Sequence, residues 1–299
     1  MKIKEIAILG PTASGKTAAA IEIAQKYNAD ILSLDSLAIY KETDIVSAKP
    51  TLHERGGIRH FGIDVLNIDD YFSAATFFDL YHEARRESER EGKHLIIVGG
   101  TSFYLKSMMQ GLSPKVTLSK DSEKQLHEIL HNLHEAYETI ADLDSLYARK
   151  IASNDRYRIQ KWHEIYLETG LSATAFFTQN RRTPVLADIP IFEITVDRDT
   201  LRKRITARTA AMLEAGVIEE VFALEKRYSR APAPMKAIGI KETLDYLDGK
   251  LTLDQLHEQI STHTAQLAKR QQTFNSSQFP NRTSMLLDDL ILNIGNFFN

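Results

Sequence analysis

The sequence predicts an α/β protein, a doubly wound and mostly parallel sheet that carries a helical insertion. Three observations lead there. Apolar runs of strand length alternate with helix-length segments in the N-terminal third, a glycine-rich motif sits where a strand meets a helix, and helical periodicity takes over in the middle third. Residues 6–9 form a buried-strand run, followed by the motif and a helix over about 17–27. Residues 31–34 are a second strand, ending at Asp35 and Ser36. In the third unit Ser73 is placed to cap a helix, Phe77, Phe78, Tyr81 and Ala84 share one of its faces, and Gly92 stops it. A strand over 94–98 then breaks at Gly99-Gly100. From 119 to 170 the stripes Leu126, Ile129, Leu130, Leu133 and Ile159, Trp162, Tyr166 mark helices. These features divide the chain into a core domain (1–114 and 188–299) and a helical insertion (115–187). A strand over 191–196 returns to the core, amphipathic helices follow at about 199–228 and 254–274, and a short strand (284–287) and a terminal helix end the chain.

Composition narrows the class. With 43% apolar and 26% charged residues in 299, the chain is globular rather than disordered. No apolar run approaches the roughly 18 residues that would span a bilayer. The first ten residues read as a strand entering a turn rather than a signal peptide, so a cytoplasmic protein without membrane attachment is expected. The absence of cysteine excludes disulfides, thiolate nucleophiles and cysteine-ligated zinc. The Asn-x-Ser/Thr matches at Asn275 and Asn281 therefore carry no weight. A net charge of −3 argues mildly against nucleic acid, yet residues 144–182 hold seven Lys/Arg against four Asp/Glu, and phosphate binding depends on such local excess.

Gly10-Pro11-Thr12-Ala13-Ser14-Gly15-Lys16-Thr17 fits G-x-x-x-x-G-K-[ST]. Its glycines let the loop curl so that backbone N–H groups face one point, where the helix N-terminus adds partial positive charge. Lys16 can reach a terminal phosphate and the Thr17 hydroxyl can hold Mg²⁺, so the loop binds a di- or triphosphate. An NTPase would add an apolar strand ending in a metal-binding Asp. Here Leu95-Ile96-Ile97-Val98 ends in Gly99-Gly100-Thr101, and Asp35 is followed by Ser36 rather than a catalytic Glu. Both a transferred γ-phosphate and a diphosphate leaving group remain open.

GPTASGKT (10–17), SLDSLAIYKETDIVSAKP (33–50), HFGIDV (60–65), FSAATF (72–77) and GGTSFYLKS (99–107) closely resemble the tRNA dimethylallyltransferase family in order and spacing. NDRYRIQKWHEIYLETG (154–170), RTAAMLEAGVIEEV (208–221), AIGIKE (237–242) and LAKRQQTF (267–274) extend the resemblance to about Phe274. It implies a P-loop kinase-like core with a helical insertion. The implied reaction moves a dimethylallyl group from dimethylallyl diphosphate to N6 of adenosine-37, beside the anticodon of tRNA, with Mg²⁺ and without ATP. The implied partners are the anticodon stem-loop and the diphosphate, met by a monomer. Asp35 matches the family's general base, and Thr12 and Thr101 match family positions, the latter near the tRNA backbone and reacting base. The loop residues Gly10 to Thr17 grip the diphosphate, helped by an arginine: Arg204 first, or Arg208 one helical turn on, unless these are a solvated basic face. Asp35, Ser36, Leu37 and Ala38, with Tyr157, Arg158, Ile159, Gln160 and Lys161, match the tRNA-contact segments.

The chain departs from the family at several points. Ala38 and Tyr157 replace common Gln residues, Glu42 a common Gly, Lys161 a common Arg, and Phe274-Asn275-Ser276 an aromatic-rich, Arg-containing stretch. Individual tRNA contacts, rather than the chemistry, are thereby affected, and recognition is expected to lean on phosphate contacts and loop shape. Two rivals stay in view, a small-molecule kinase on the same core and a tRNA-binding protein whose loop is only structural. His127, His131 and His134 have metal-like spacing but read as a solvated helix face, and Trp162 reads as packing rather than base stacking.

Overall fold

The computed structural model describes residues 3–180, 183–186 and 188–298. Arg181 and Arg182, which end the basic stretch, and Ala187, on which the insertion boundary was drawn, lie outside the described residues. The chain forms two compact units, Met1–Met109 with Leu186–Asn299, and Gln110–Val185.

The first unit begins with β1 (Glu5–Leu9), α1 (Lys16–Tyr27), β2 (Ala29–Ser33), the two-residue β3 (His60–Phe61), α2 (Ala74–Glu91), β4 (His94–Gly99) and α3 (Ser102–Gln110). All six residues of β4 are buried, as a central parallel strand covered on both faces requires. The Ser73 side chain accepts from Thr76 N–H in a capping box, and Gly92, left-handed at φ 66°, ends α2. Phe77, Phe78, Tyr81 and Ala84 are buried, so the aromatic stripe belongs to the core.

Glu42, where the family commonly has glycine, sits at φ +64°, a conformation only glycine adopts without strain. Its carboxylate compensates by accepting from Arg227 Nη1 at 2.9 Å and the Tyr228 hydroxyl at 2.8 Å. Glu42→Gly and Glu42→Ala lose those contacts alike, so their difference isolates the backbone. The alanine variant is expected to be less stable by about 1 kcal/mol in thermal or urea unfolding.

The second unit contains α4 (Lys120–Ile129), α5 (Leu133–Leu143), α6 (Ser145–Ala148), α7 (Arg156–Thr169) and α8 (Ala173–Gln179). The stripe from Leu126 to Leu133 is not one helix. The chain breaks at Asn132, whose side chain accepts from Glu135 N–H and starts α5. His127, His131 and His134 are thereby spread over α4, the turn and α5, and no cluster of metal-ligating side chains occurs among the described residues. Ile159 and Trp162 are fully buried, and the Trp162 indole N–H donates to Asp144 Oδ2 at 3.1 Å. Thr174 adds its N–H and hydroxyl to the same carboxylate, so the buried charge is paired with four protein donors once Tyr147 N–H is included.

His163, on the same helix, is buried with Nε2 against the Ala136 carbonyl at 3.0 Å, and burial lowers its pKa. Above pH 6.5 both folded and unfolded states hold it neutral. As pH falls below that, the unfolded chain takes up a proton that the folded unit resists, so stability is lost. Hydrogen exchange in full-length protein should show α7 opening more readily at pH 5 than at pH 7, and His163→Gln should flatten that difference.

The chain returns through β5 (Ile191–Ile194), α9 (Arg198–Glu214), α10 (Val217–Tyr228), a 3-10 turn (Ala233–Lys236), α11 (Ile240–Leu247), α12 (Leu253–Gln278), β6 (Thr283–Met285), α13 (Leu287–Asn293) and α14 (Gly295–Phe298). The expected helix over 199–228 is two helices, divided at Gly216 with φ +96°, and α11 was not foreseen. Every strand pairing is parallel, in the order β3-β2-β4-β1-β5-β6. Asn275 is fully buried, which is incompatible with an accessible glycosylation acceptor. No helix among the described residues is long and apolar enough to cross a membrane.

Candidate active site

A parallel sheet brings the carboxyl ends of its strands to one edge, and the crevice there is the ordinary ligand position. The registers Leu9↔Gly99 and Ser33↔Val98 put the ends of β1, β2 and β4 level. The loops that leave those ends are Gly10–Gly15, Asp35–Ala38 and Gly99–Thr101, so sheet geometry assembles the three motifs. At Gly99 an added Cβ would lie 2.5 Å from the Leu34 carbonyl oxygen, so only glycine lets β4 leave so close to β2.

In the P-loop, Ala13 (φ 62°) and Gly15 (φ 89°) are left-handed, which turns successive amides toward the mouth of α1. Ser14 is fully buried and its hydroxyl has no partner among the described residues. Lys16 opens α1, and its Nζ rests on the Pro11 carbonyl at 3.2 Å. Burial pushes the Lys16 ammonium down to about 8, Asp35 opposes that, and the like charge of Arg208 adds to it. Arg208, on α9, is also lowered by burial and raised by Asp35, and its Nη2 donates to the Ser47 carbonyl at 3.3 Å. Two cations and one carboxylate in a poorly solvated cleft leave an excess of positive charge, which an entering anion would relieve.

Asp35 is held by one oxygen. Oδ1 accepts from Leu37 N–H at 2.8 Å and Ala38 N–H at 3.1 Å, while Oδ2 accepts no hydrogen bond from the described residues. Asp35 thus caps its turn and still presents an oxygen to the cleft, which Thr12, Lys16, Thr17 and Arg208 also line. A second chamber of about 250 Å³ continues past Ser36, Leu37 and Thr101 to a wall containing Val46, Ile205, Met212, Ile260 and Leu267. Thr101 N–H donates to the Leu34 carbonyl at 3.0 Å, and its hydroxyl meets Ser36 Oγ at 3.5 Å.

The two arginines part company. Arg208 lines the cleft, whereas Arg204 is exposed and does not. One turn of α9 separates them, and only Arg208 is turned to the cleft. Gly10, Pro11 and Ser14 are buried and serve as framework, and Ala38 is buried with its N–H given to Asp35 and its carbonyl to Asp64 N–H. Loop residues Ala237 to Gly239 also line the chamber, Gly239 being fixed by Glu242 Oε2 at 2.7 Å. Gln271 on α12 lines it too, and no local sequence signal singled it out.

On α7, Tyr157 is 70% exposed, with Lys161 Nζ 5.9 Å from its ring centroid. Arg158 pairs with Asp155, while Lys161 and Gln160 both engage Glu164, at 2.6 and 2.8 Å. Arg158, in the first turn of α7, opposes the helix dipole there, and its pairing with Asp155 offsets that cost. Ile159 is a correction: its side chain is wholly inside the unit's core and offers no contact surface.

A magnesium ion fits the donors present. Mg²⁺ usually takes one or two protein oxygens and completes its shell with water and substrate phosphates. The Thr17 hydroxyl lines the cleft beside the phosphate loop and would take one such place, so no acid cluster is needed.

The family model described as IPP transferase matches residues 38–278. The tRNA dimethylallyltransferase of Sulfurimonas denitrificans is 51% identical, covering 96% of this chain and 98% of its own. That of Aliarcobacter butzleri is 49% identical over 99% of this chain and 100% of its own. A crystallographically solved eukaryotic dimethylallyltransferase acting on tRNA superposes with a TM-score of 0.81 at 27% identity, covering 98% of this chain and 77% of that one. This chain belongs to the tRNA dimethylallyltransferase (IPP transferase) family.

Proposed function

We propose that the chain transfers the dimethylallyl group of dimethylallyl diphosphate to N6 of adenosine-37 in tRNA, without ATP. The observation that carries this reading is the convergence of Lys16, Arg208 and the unshared Asp35 oxygen on one cleft where β4 ends in Gly99-Gly100 rather than in a metal-binding Asp. The P-loop amides, Lys16 and Arg208 bind the diphosphate, and the apolar wall of Ile205, Met212, Ile260 and Leu267 suits a branched five-carbon group. Magnesium held by the Thr17 hydroxyl together with the phosphates would supply neutralising charge there.

As N6 bonds to the allylic C1, the C1–O bond breaks and its electron pair leaves with the diphosphate. Lys16 and Arg208 meet that growing charge in place, with little reorganisation. The amine becomes acidic as it attacks, and Asp35 takes its proton. Ser36, Leu37 and Thr101 border the chamber on the side where the base would enter, and Tyr157, Arg158 and Lys161 supply a ring and cations for the anticodon loop. Ala38 has no free polar group, so base reading falls to other contacts.

The test incubates purified protein with unmodified tRNA and labelled dimethylallyl diphosphate, in parallel with ATP. Label should enter tRNA with release of diphosphate, and ATP should remain intact. Stoichiometric ADP release would favour a kinase instead.

A further inference from the structure

The cleft's two framing loops, the P-loop and the turn after β4, are joined by a single side chain from α12. Gln271 Oε1 accepts the Thr12 N–H at 2.9 Å. Its other end lies against Gly100, where an added Cβ would be 2.3 Å from Gln271 Nε2, so the glycine leaves the space the amide fills. Four residues further along α12, Asn275 is fully buried and its Nδ2 donates to Glu193 Oε1 at 2.8 Å. Glu193 is a buried carboxylate of β5 whose other oxygen is held by Arg282. Residues at i and i+4 share a helix face, so the contact that anchors α12 to the sheet also fixes the approach of Gln271.

We propose that Gln271 is a positioning residue that locks the P-loop at Thr12 against the Gly100 turn and holds the anion cradle in its binding form before substrate arrives. This rests on the reading of the cleft as a diphosphate site. Thr12 N–H is committed to Gln271, so the amide itself is not offered to the anion. What the contact provides is a fixed curl for the amides that follow it. Without an acceptor the loop would have to be ordered by the ligand, and that ordering would weaken binding.

The test titrates inorganic diphosphate into the full-length protein without tRNA, and tRNA separately. Gln271→Ala should weaken diphosphate binding roughly three- to tenfold, the range of one net hydrogen bond, and leave tRNA affinity within about twofold. Gly100→Ala should reproduce the loss, because its methyl group expels the Gln271 amide. The double variant should bind no worse than either single one, since the second change has nothing left to disturb. Additive losses would overturn the proposal, as would unchanged diphosphate affinity accompanied by weakened tRNA binding. Wild-type protein that fails to bind diphosphate overturns the reading of the cleft. Wild-type binding with unaffected variants overturns the role of Gln271 alone.

Discussion

Asp35→Asn is expected to lower the rate of prenyl transfer by roughly 10²–10⁴-fold while the fold and both substrate affinities largely persist. Asparagine keeps the shape of the side chain and an oxygen that can accept from Leu37 and Ala38 N–H, so the turn after β2 survives. What it loses is the second carboxylate oxygen and with it the place for the N6 proton. Asp35→Ala removes the turn contacts as well, so it should be slower and also less stable, which separates base from cap. Single-turnover rates at saturating substrates are the measurement. A near-wild-type rate for Asp35→Asn, with chemistry shown to limit turnover, would rule out the base role.

The elements that could be read from sequence were those whose signals are local. The β1–loop–α1 segment carries its own geometry, because strand, glycines and helix start are contiguous. The capping of α2 by Ser73 and its stop at Gly92 lie within a turn of the ends they define. Errors arose where an apolar period continues across a break. Leu126 to Leu133 keeps a helical spacing, and only the cap at Asn132 divides it. The same happened at Gly216, within one expected helix. Helix α11 escaped notice because it starts at a glycine with no hydroxyl or carboxamide side chain to announce it.

The cleft was half legible for the same reason. Lys16, Thr17 and Asp35 follow from strand ends and a contiguous motif, so their proximity needed only a parallel sheet. Arg204 and Arg208 have equal standing on a helical wheel, and the choice depends on where α9 crosses the P-loop, a tertiary fact. Ile159 was drawn into a contact segment by its neighbours, although its own apolar spacing with Trp162 already pointed inward. Gln271 meets Thr12 across 259 positions, a pairing no periodicity encodes.

Lys16→Ala is expected to cut the rate by about 10²–10³-fold, on the scale of losing one preorganised charge at a leaving group. Diphosphate affinity should fall with it and tRNA affinity should not, because Lys16 lines the cleft beside the P-loop together with Arg208. Arg208→Ala should act in the same direction. Arg204→Ala should stay within about twofold of wild type, the ordinary outcome for an exposed residue away from special features. Stability should move the opposite way for Lys16. Its ammonium is disfavoured by burial and by the neighbouring guanidinium and only partly favoured by Asp35, so removing it relieves a net cost that the free protein carries for the sake of the anion. Lys16→Ala should therefore melt no lower than wild type in the absence of ligand, and diphosphate should raise its melting temperature less. If it melts lower and loses tRNA and diphosphate affinity in equal measure, Lys16 supports the fold rather than the leaving group. A variant of Arg204 as damaged as that of Arg208 would show that α9 meets the diphosphate by a different turn.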